Sequence, residues 1–290
     1  MSSFKNAPDI MGEALGRLPI NPQARVGKVV KMSPEAPDRA RRLLDKLKAM
    51  RLSGMAAALE EAMVGSPARL LPVVQQLEIL VAREDATRTQ GRLRARIRKA
   101  GLRVEATIEG VDYNHPRNLD RARVTELAAC AWVTQGSNVI ITGHIGAGKT
   151  YLASALTHAA CVRGHRALYR RLPDLLRELA EARAKRGLEK YMEALRRIDL
   201  LSLDDWGLEM LDHQQGIDLL EVIEGRDGAK STLVASCLPL NGWVRFTENH
   251  TIGEAILDRL VHNAHQINLQ GDSLRKEYSP LRGGGSEQSG

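Results

Sequence analysis

The sequence predicts an α/β fold, a five-stranded parallel sheet sandwiched by helices, preceded by a small all-helical domain. Three observations carry this. Beyond Gly110, short strands alternate with helical stretches. Each strand reads apolar on both faces, as strands covered by helices on either side do. The first of these strands runs through a glycine-broken loop directly into a helix, whereas before Gly110 apolar residues recur only at helical spacing.

Taken in order, residues 1–37 are punctuated by Pro8, Pro19, Pro22, Pro34 and Pro37 and read as a mobile leader, with one short helix over 11–18. From Asp38 the apolar positions Leu43, Leu44, Leu47, Met50, Leu52, Met55 and Leu59 fall at near-helical spacing. Gly65, Ser66 and Pro67 break that stretch, and a second helical run extends from Leu70 to about Ala100. The helical unit therefore spans 38–110. Strands are expected at "SNVIITG" (137–143), "HRALYRRL" (165–172), "IDLLSLDD" (198–205), "KSTLVASCL" (230–238) and "AHQINLQ" (264–270). Helices are expected between them at 149–163, 174–186, 188–197, 214–224 and 252–262. This second domain covers 111–276, and 277–290, rich in glycine and serine, reads as a flexible tail.

Composition bounds the chemistry. At 290 residues the chain can bury a real core, and 43% hydrophobic with 27% charged residues is ordinary for a globular protein. Aromatics make up 3%, too few for rows of base-stacking rings. Residues 1–110 hold 20 basic against 12 acidic side chains, and 111–290 hold 22 against 23. The excess basicity belongs to the helical unit, which makes an acidic partner such as nucleic acid plausible there. Cys130, Cys161 and Cys237 stand far apart with no metal-ligand spacing, so they read as reduced thiols. No continuous apolar segment marks a signal peptide or a bilayer span. A cytoplasmic, soluble protein with no membrane partner is expected.

The stretch "ITGHIGAGKTY" contains Gly143, His144, Ile145, Gly146, Ala147, Gly148, Lys149, Thr150 and Tyr151 and fits G-x-x-x-x-G-K-S/T. A ring of backbone N–H groups wraps a β-phosphate only where side chains do not block the approach. The helix starting at Lys149 aims its N-terminal N–H groups and dipole at the anion. Lys149 is suited to bridge β- and γ-oxygens, and the Thr150 hydroxyl to hold Mg²⁺. His144 is expected to face solvent or cap a turn rather than to perform acid–base work. In "LLSLDDWG", Asp204 and Asp205 end an apolar strand. A metal-bound triphosphate needs one carboxylate at the neighbouring strand tip for Mg²⁺, and hydrolysis needs another to polarise water. Asp204 suits the first role and Asp205 the second. A nucleoside triphosphate with Mg²⁺ is the cofactor these motifs imply.

With these motifs, the chain resembles the AAA+ ATPases of the IstB/DnaC-like group, and within it the IstB-like transposition helpers of bacterial insertion sequences. The residues that carry the resemblance are "LDKLKAMRLSGMAAALEE", "ITGHIGAGKT", "DLLSLDDWGLEML", "STLVASCLP" and "AILDRLVHNAHQINLQGDSLRK". It runs from about Asp38 to Lys276 and implies an AAA+ core of three αβα layers. Arg259 falls where the group places an arginine finger for the neighbouring subunit's nucleotide; the plainer alternative is a helix-surface arginine paired with Asp258. Arg275 looks like the sensor-2 arginine that contacts the γ-phosphate, with a salt bridge in the tail as its rival. Two departures stand out. Cys237 occupies the sensor-1 position, where a polar amide is common, and a thiol is a weak donor; Ser236 is the nearby hydroxyl that could substitute. Asp205 stands where many AAA+ proteins carry Glu.

Two basic stretches are candidates for contacting DNA phosphates. On a helix, Arg92, Arg96, Lys99 and Arg103 fall roughly on one side. Arg177, Arg183, Lys185, Arg186 and Lys190 come after the second strand, where the initiator and loader clade inserts a channel-lining helix pair. The combined expectation is an ATPase that oligomerises on duplex DNA and recruits a partner transposase. A DnaC-like helicase loader on single-stranded DNA, a small-molecule P-loop kinase and a DNA-coating protein are the alternatives.

Overall fold

The structure, a computed structural model, describes residues 36–64 and 71–271. Residues 1–35 of the expected leader, the break at Gly65–Ser66–Pro67, Arg275 and the tail lie outside the described residues, whereas Ala36 and Pro37, expected in the leader, open the first helix. The chain divides into two compact units, Met1–Glu84 and Asp85–Gly290.

In the first unit, α1 (Ala36–Ala49) and α2 (Ser53–Met63) precede α3 (Val73–Ala100), whose opening turns close the unit. Leu52, the residue before α2, offers no side-chain cap. The buried Glu84 carboxylate supplies one from α3, accepting from the N–H groups of Gly54 (2.7 Å) and Met55 (3.1 Å). A negative charge at that helix end answers both the orphan donors and the dipole. Lys48–Glu60 and Arg83–Glu61 ion pairs add surface ties.

The second unit begins inside α3, earlier than the Gly110 boundary expected from the sequence. Residues 85–110 share the core of the sheet-containing unit: Ala100 and Ala106 are buried in it, with Leu93, Ile97, Leu102, Val104 and Ile108 packed alongside. Helices α4 (Arg121–Ala128) and α5 (Ala131–Thr134) come next, neither expected from the sequence. They lead into β1 (Asn138–Gly143), α6 (Lys149–Val162), β2 (Ala167–Arg171), α7 (Leu172–Ala184), α8 (Leu188–Arg196) and β3 (Leu200–Trp206). The unit closes with α9 (His213–Glu224), β4 (Ser231–Ser236), a 3-10 segment (Leu240–Phe246), α10 (His250–Val261) and β5 (Ala264–Leu269).

The sheet is parallel throughout, in the order β2-β3-β4-β1-β5. Alternation along each strand sends side chains to two cores. Val139, Ile141, Leu233 and Ala235 join one with α6, while Ile140, Val234, Leu201 and Leu203 join the other with α7 to α10. Every residue of the central β4 is buried. The edge strands β2 and β5 are only partly buried, so the expectation of apolar faces on both sides holds best at the centre. Among the described residues no helix is long and apolar enough to cross a membrane.

At the other end of the sheet from the glycine loop, one carboxylate gathers three strand starts. Asp199, before β3, accepts from the Arg166 backbone (2.9 Å) and guanidinium before β2, and from Lys230 Nζ (2.7 Å) before β4. Burial works to raise its carboxyl; the hydrogen bonds from Arg166 and Lys230 outweigh that and hold it well below the usual carboxylate range. A folded-state pKa below the unfolded one adds stability that is present above about pH 4 and is lost as pH falls further. Asp199→Asn is therefore expected to cost about 1–2 kcal/mol at pH 7 and to flatten the acid limb of the stability profile. Urea melts at pH 7 and pH 3 test this, and an equal loss at both would count against it.

Candidate functional site

The site forms where the carboxyl ends of β1, β3 and β4 meet, the usual place for ligands on an open parallel sheet. Gly143 ends β1 with φ 153, and a Cβ there would stand 2.5 Å from the Leu269 carbonyl. Gly146 (φ 88) and Gly148 (φ 91) both take backbone conformations that L side chains resist. The loop thus turns its backbone outward before α6 begins at Lys149. Arg117 braces it from below: almost wholly buried, it donates to the Ala147 carbonyl (3.0 Å) and to the Asp112 carbonyl (2.6 Å). Lys149 Nζ spans the Gly143 and His144 carbonyls, each at 2.8 Å. His144 and Ile145 are exposed, while the Tyr151 hydroxyl sits where a Cβ on Gly110 would be.

Thr150 Oγ1 donates to Asp204 Oδ2 at 2.7 Å. The strand bearing Asp204 is not β1's neighbour, as the sequence argument assumed, because β4 lies between them. The contact is made instead by α6, which runs across the sheet from the end of β1 and packs against β3 and β4. Asp204 is 1% exposed and also accepts from Tyr169 Oη (2.5 Å) and from the Asp205 N–H (2.9 Å). Burial first, then the Asp204 charge and hydrogen bond, push the Tyr169 phenol far above its ordinary value, so it stays a donor.

Consecutive strand residues ordinarily point to opposite faces, yet Asp204 and Asp205 line one cavity of about 210 Å³ together with Lys149, Thr150 and Cys237. The explanation is a bulge. Leu203 pairs with Val234 but Trp206 with Ser236, so β3 spends one more residue than β4. Asp205 absorbs it at φ 55, in the left-handed region. Asp205 Oδ2 accepts from Arg171 Nε at 2.5 Å and from Arg103 Nη1 at 3.5 Å. The hydrogen bond to Asp205 raises the Arg171 guanidinium further above its normal value.

Several expected residues stand elsewhere. Arg96 does not join an exposed basic row: its Nε donates to the Cys161 carbonyl at 2.9 Å, because that face of α3 packs on the core. Arg103 lies at this same cavity rather than on the helix, since α3 stops at Ala100. Arg92 and Lys99 are exposed, as are Arg94 and Arg98. Arg177 pairs with Asp174, Lys185 with Glu181, and Arg183 with the buried Asp218; Arg186 and Lys190 are exposed. Arg259 pairs with Glu224 (2.6 Å), not with Asp258, because adjacent helical residues diverge around the axis. Ser236 is buried, its hydroxyl bonded to the Trp206 and Leu238 carbonyls, so Cys237 is the side chain facing the cavity. Arg171 and Tyr169 were missed; "LYRRL" ends the strand beside β3, with Arg171 registered against Asp204, a signal that needs the sheet order to be read.

The donors fit the group implied. The positive-φ glycines leave the loop backbone free of the side chains that would bar a phosphate, and the Thr150 hydroxyl with the Asp204 carboxylate is a hard oxygen pair of the kind Mg²⁺ takes beside phosphate and water. Among the described residues no cluster of three His, Cys, Asp or Glu could hold a metal ion.

Residues 45–281 match the family model described as IstB-like ATP binding protein. The chain belongs to this family. It is 44% identical over 233 residues to an insertion sequence ATP-binding protein of Sinorhizobium fredii, covering 80% of this chain and 95% of the relative. It is 40% identical over 197 residues to the ATP-binding protein of insertion sequence IS1162 from Pseudomonas fluorescens, covering 68% and 85%. Among solved structures, it is similar to DnaI at TM-score 0.50 and 21% identity, covering 57% of this chain and 91% of that one. AMPPCP-bound DnaA from Aquifex aeolicus also gives TM-score 0.50, at 20% identity, covering 62% and 57%. At such identities the likeness speaks to the fold alone.

Proposed function

We propose that this IstB-like protein is an ATPase that assembles on duplex DNA as ATP bridges neighbouring subunits, and that the assembly recruits or stimulates a partner transposase. The observation that carries the reading is the gathering of Lys149, Thr150, Asp204 and Asp205 around one cavity, in a member of an insertion-sequence ATP-binding family. Lys149 is the cation for the β- and γ-oxygens. Thr150 and Asp204 hold Mg²⁺, which when bound neutralises charge on the phosphate oxygens. Asp205 accepts a proton from water as its oxygen bonds the γ-phosphorus and the bond to ADP's bridging oxygen breaks.

Arg259 is the cation offered to a neighbouring subunit, which requires its pair with Glu224 to open; a half-exposed pair of this kind is weak enough to exchange. The exposed Arg92, Arg94, Arg98 and Lys99 of α3 support phosphate contacts without base reading, so binding should weaken steeply with salt.

Imaging the full chain with an ATP analogue on long duplex DNA tests this. Ordered assemblies are expected, and Lys149→Ala should remove them while cutting nucleotide affinity roughly a hundredfold, as loss of charge-assisted hydrogen bonds does. A chain that binds ATP yet stays monomeric, or prefers single strands, would sink the duplex-assembly reading.

A further inference from the structure

We propose that Arg103 and Arg171 form a pair, within one subunit, that reads the third phosphate of the nucleotide, holding Asp205 in its absence and turning to the phosphate when it is present. The inference rests on the reading of this cavity as an ATP site.

Both guanidinium groups converge on the same oxygen, Asp205 Oδ2, and both line the cavity that holds Lys149 and Thr150. Among the described residues each gives Asp205 one N–H of the five a guanidinium carries. Their backbones are fixed. Arg171 ends β2, registered beside Asp204. Arg103 comes just after the stop of α3 at Gly101, whose left-handed turn (φ 66) lies close against the Arg170 guanidinium. The side chains can move: Arg103 is 52% exposed and Arg171 36%.

Charge decides the exchange. Asp205 offers one negative charge, whereas a terminal phosphate offers close to two, spread over three oxygens. Half-exposed ion pairs are individually weak, so the arginines leave Asp205 at small cost. A diphosphate ends one phosphate short and supplies no such competitor. The pair also answers the thiol at Cys237. That side chain faces the same cavity and donates poorly, so strong donors for a third phosphate must come from another element, and these two arginines are placed to supply them. Once they turn away, Asp205 loses its two cationic partners and is available to water.

The test is equilibrium titration of the full chain with fluorescent adenosine diphosphate and a non-hydrolysable fluorescent triphosphate, both with Mg²⁺. The wild type should prefer the triphosphate. Arg103→Gln and Arg171→Gln together should weaken triphosphate binding about tenfold or more while leaving diphosphate affinity nearly unchanged, which also reports that the variant is folded. Asp205→Asn, which removes the competing charge but keeps both arginines, should tighten triphosphate binding alone. Equal losses for both nucleotides in the arginine variant, or no change in any arm, would overturn the pair. A wild type that takes up neither nucleotide would instead overturn the ATP-site reading beneath it.

Discussion

Asp205→Asn is expected to lower the maximal rate of ATP hydrolysis by roughly a hundredfold to ten-thousandfold, the range that a positioned general base supplies. Asparagine is the informative replacement because Asp205 sits at φ 55, a conformation that Asn tolerates nearly as well as Asp and that β-branched or bulky residues resist. The bulge in β3 should survive, leaving a side chain of the same shape that cannot take a proton. Apparent affinity for ATP should improve, because the substitution removes the charge that competes for Arg103 and Arg171 and leaves Lys149, Thr150 and Asp204 untouched. Phosphate release at saturating ATP measures the first quantity and nucleotide titration the second. Turnover within about threefold of wild type would remove Asp205 from the base role, given the size of effect such a base ordinarily carries.

The next residue carries the largest expected effect on stability. Trp206 is fully buried, with ring centroids 4.9 Å from Trp243 and 5.2 Å from Phe246. These rings join the end of β3 to the 3-10 segment Leu240–Phe246, and α10 packs against that same segment. Trp206→Ala removes a large side chain where neighbours cannot collapse into the space, which costs about 3–5 kcal/mol. Because Trp206 directly succeeds the two aspartates, loosening it should also relax the bulge that turns both carboxylates into the cavity. Denaturant melts should show the midpoint shift, and the residual folded protein should hydrolyse ATP slowly. A loss under about 1 kcal/mol would mean that the aromatic cluster is not the anchor inferred from its burial.

All five strands and the helices between them were readable within a few residues, because alternating hydrophobicity and glycine punctuation are local signals. The glycine loop was readable for the same reason: G-x-x-x-x-G-K-S/T encodes its own backbone conformation. Helices α4 and α5 were not. The first is eight residues long and the second only four, too short for a periodic pattern to stand out, and they are held by packing of Val124, Leu127, Trp132 and Val133 into the core. The division between the units also escaped a reading by composition. Residues 85–110 look basic and helical like those before them, but their apolar face belongs to the core of the second unit. Arg96 illustrates the cost of reading charge alone, since a row of arginines on a helix does not say which one turns inward to a carbonyl.

The sequence by itself determined the sheet's strands, the phosphate loop and the two adjacent carboxylates, since each depends on residues within a dozen positions of one another. Tertiary structure alone decided what meets those carboxylates. Strand order put β4 between β1 and β3, and one extra residue in β3 brought Asp205 to the same side as Asp204. It also carried Arg103 and Arg171, 102 and 34 residues away in sequence, to a single oxygen of Asp205. Contacts of that range leave no periodic trace along a chain; they exist only once the sheet has closed and the cost of ordering both ends has been met by the core.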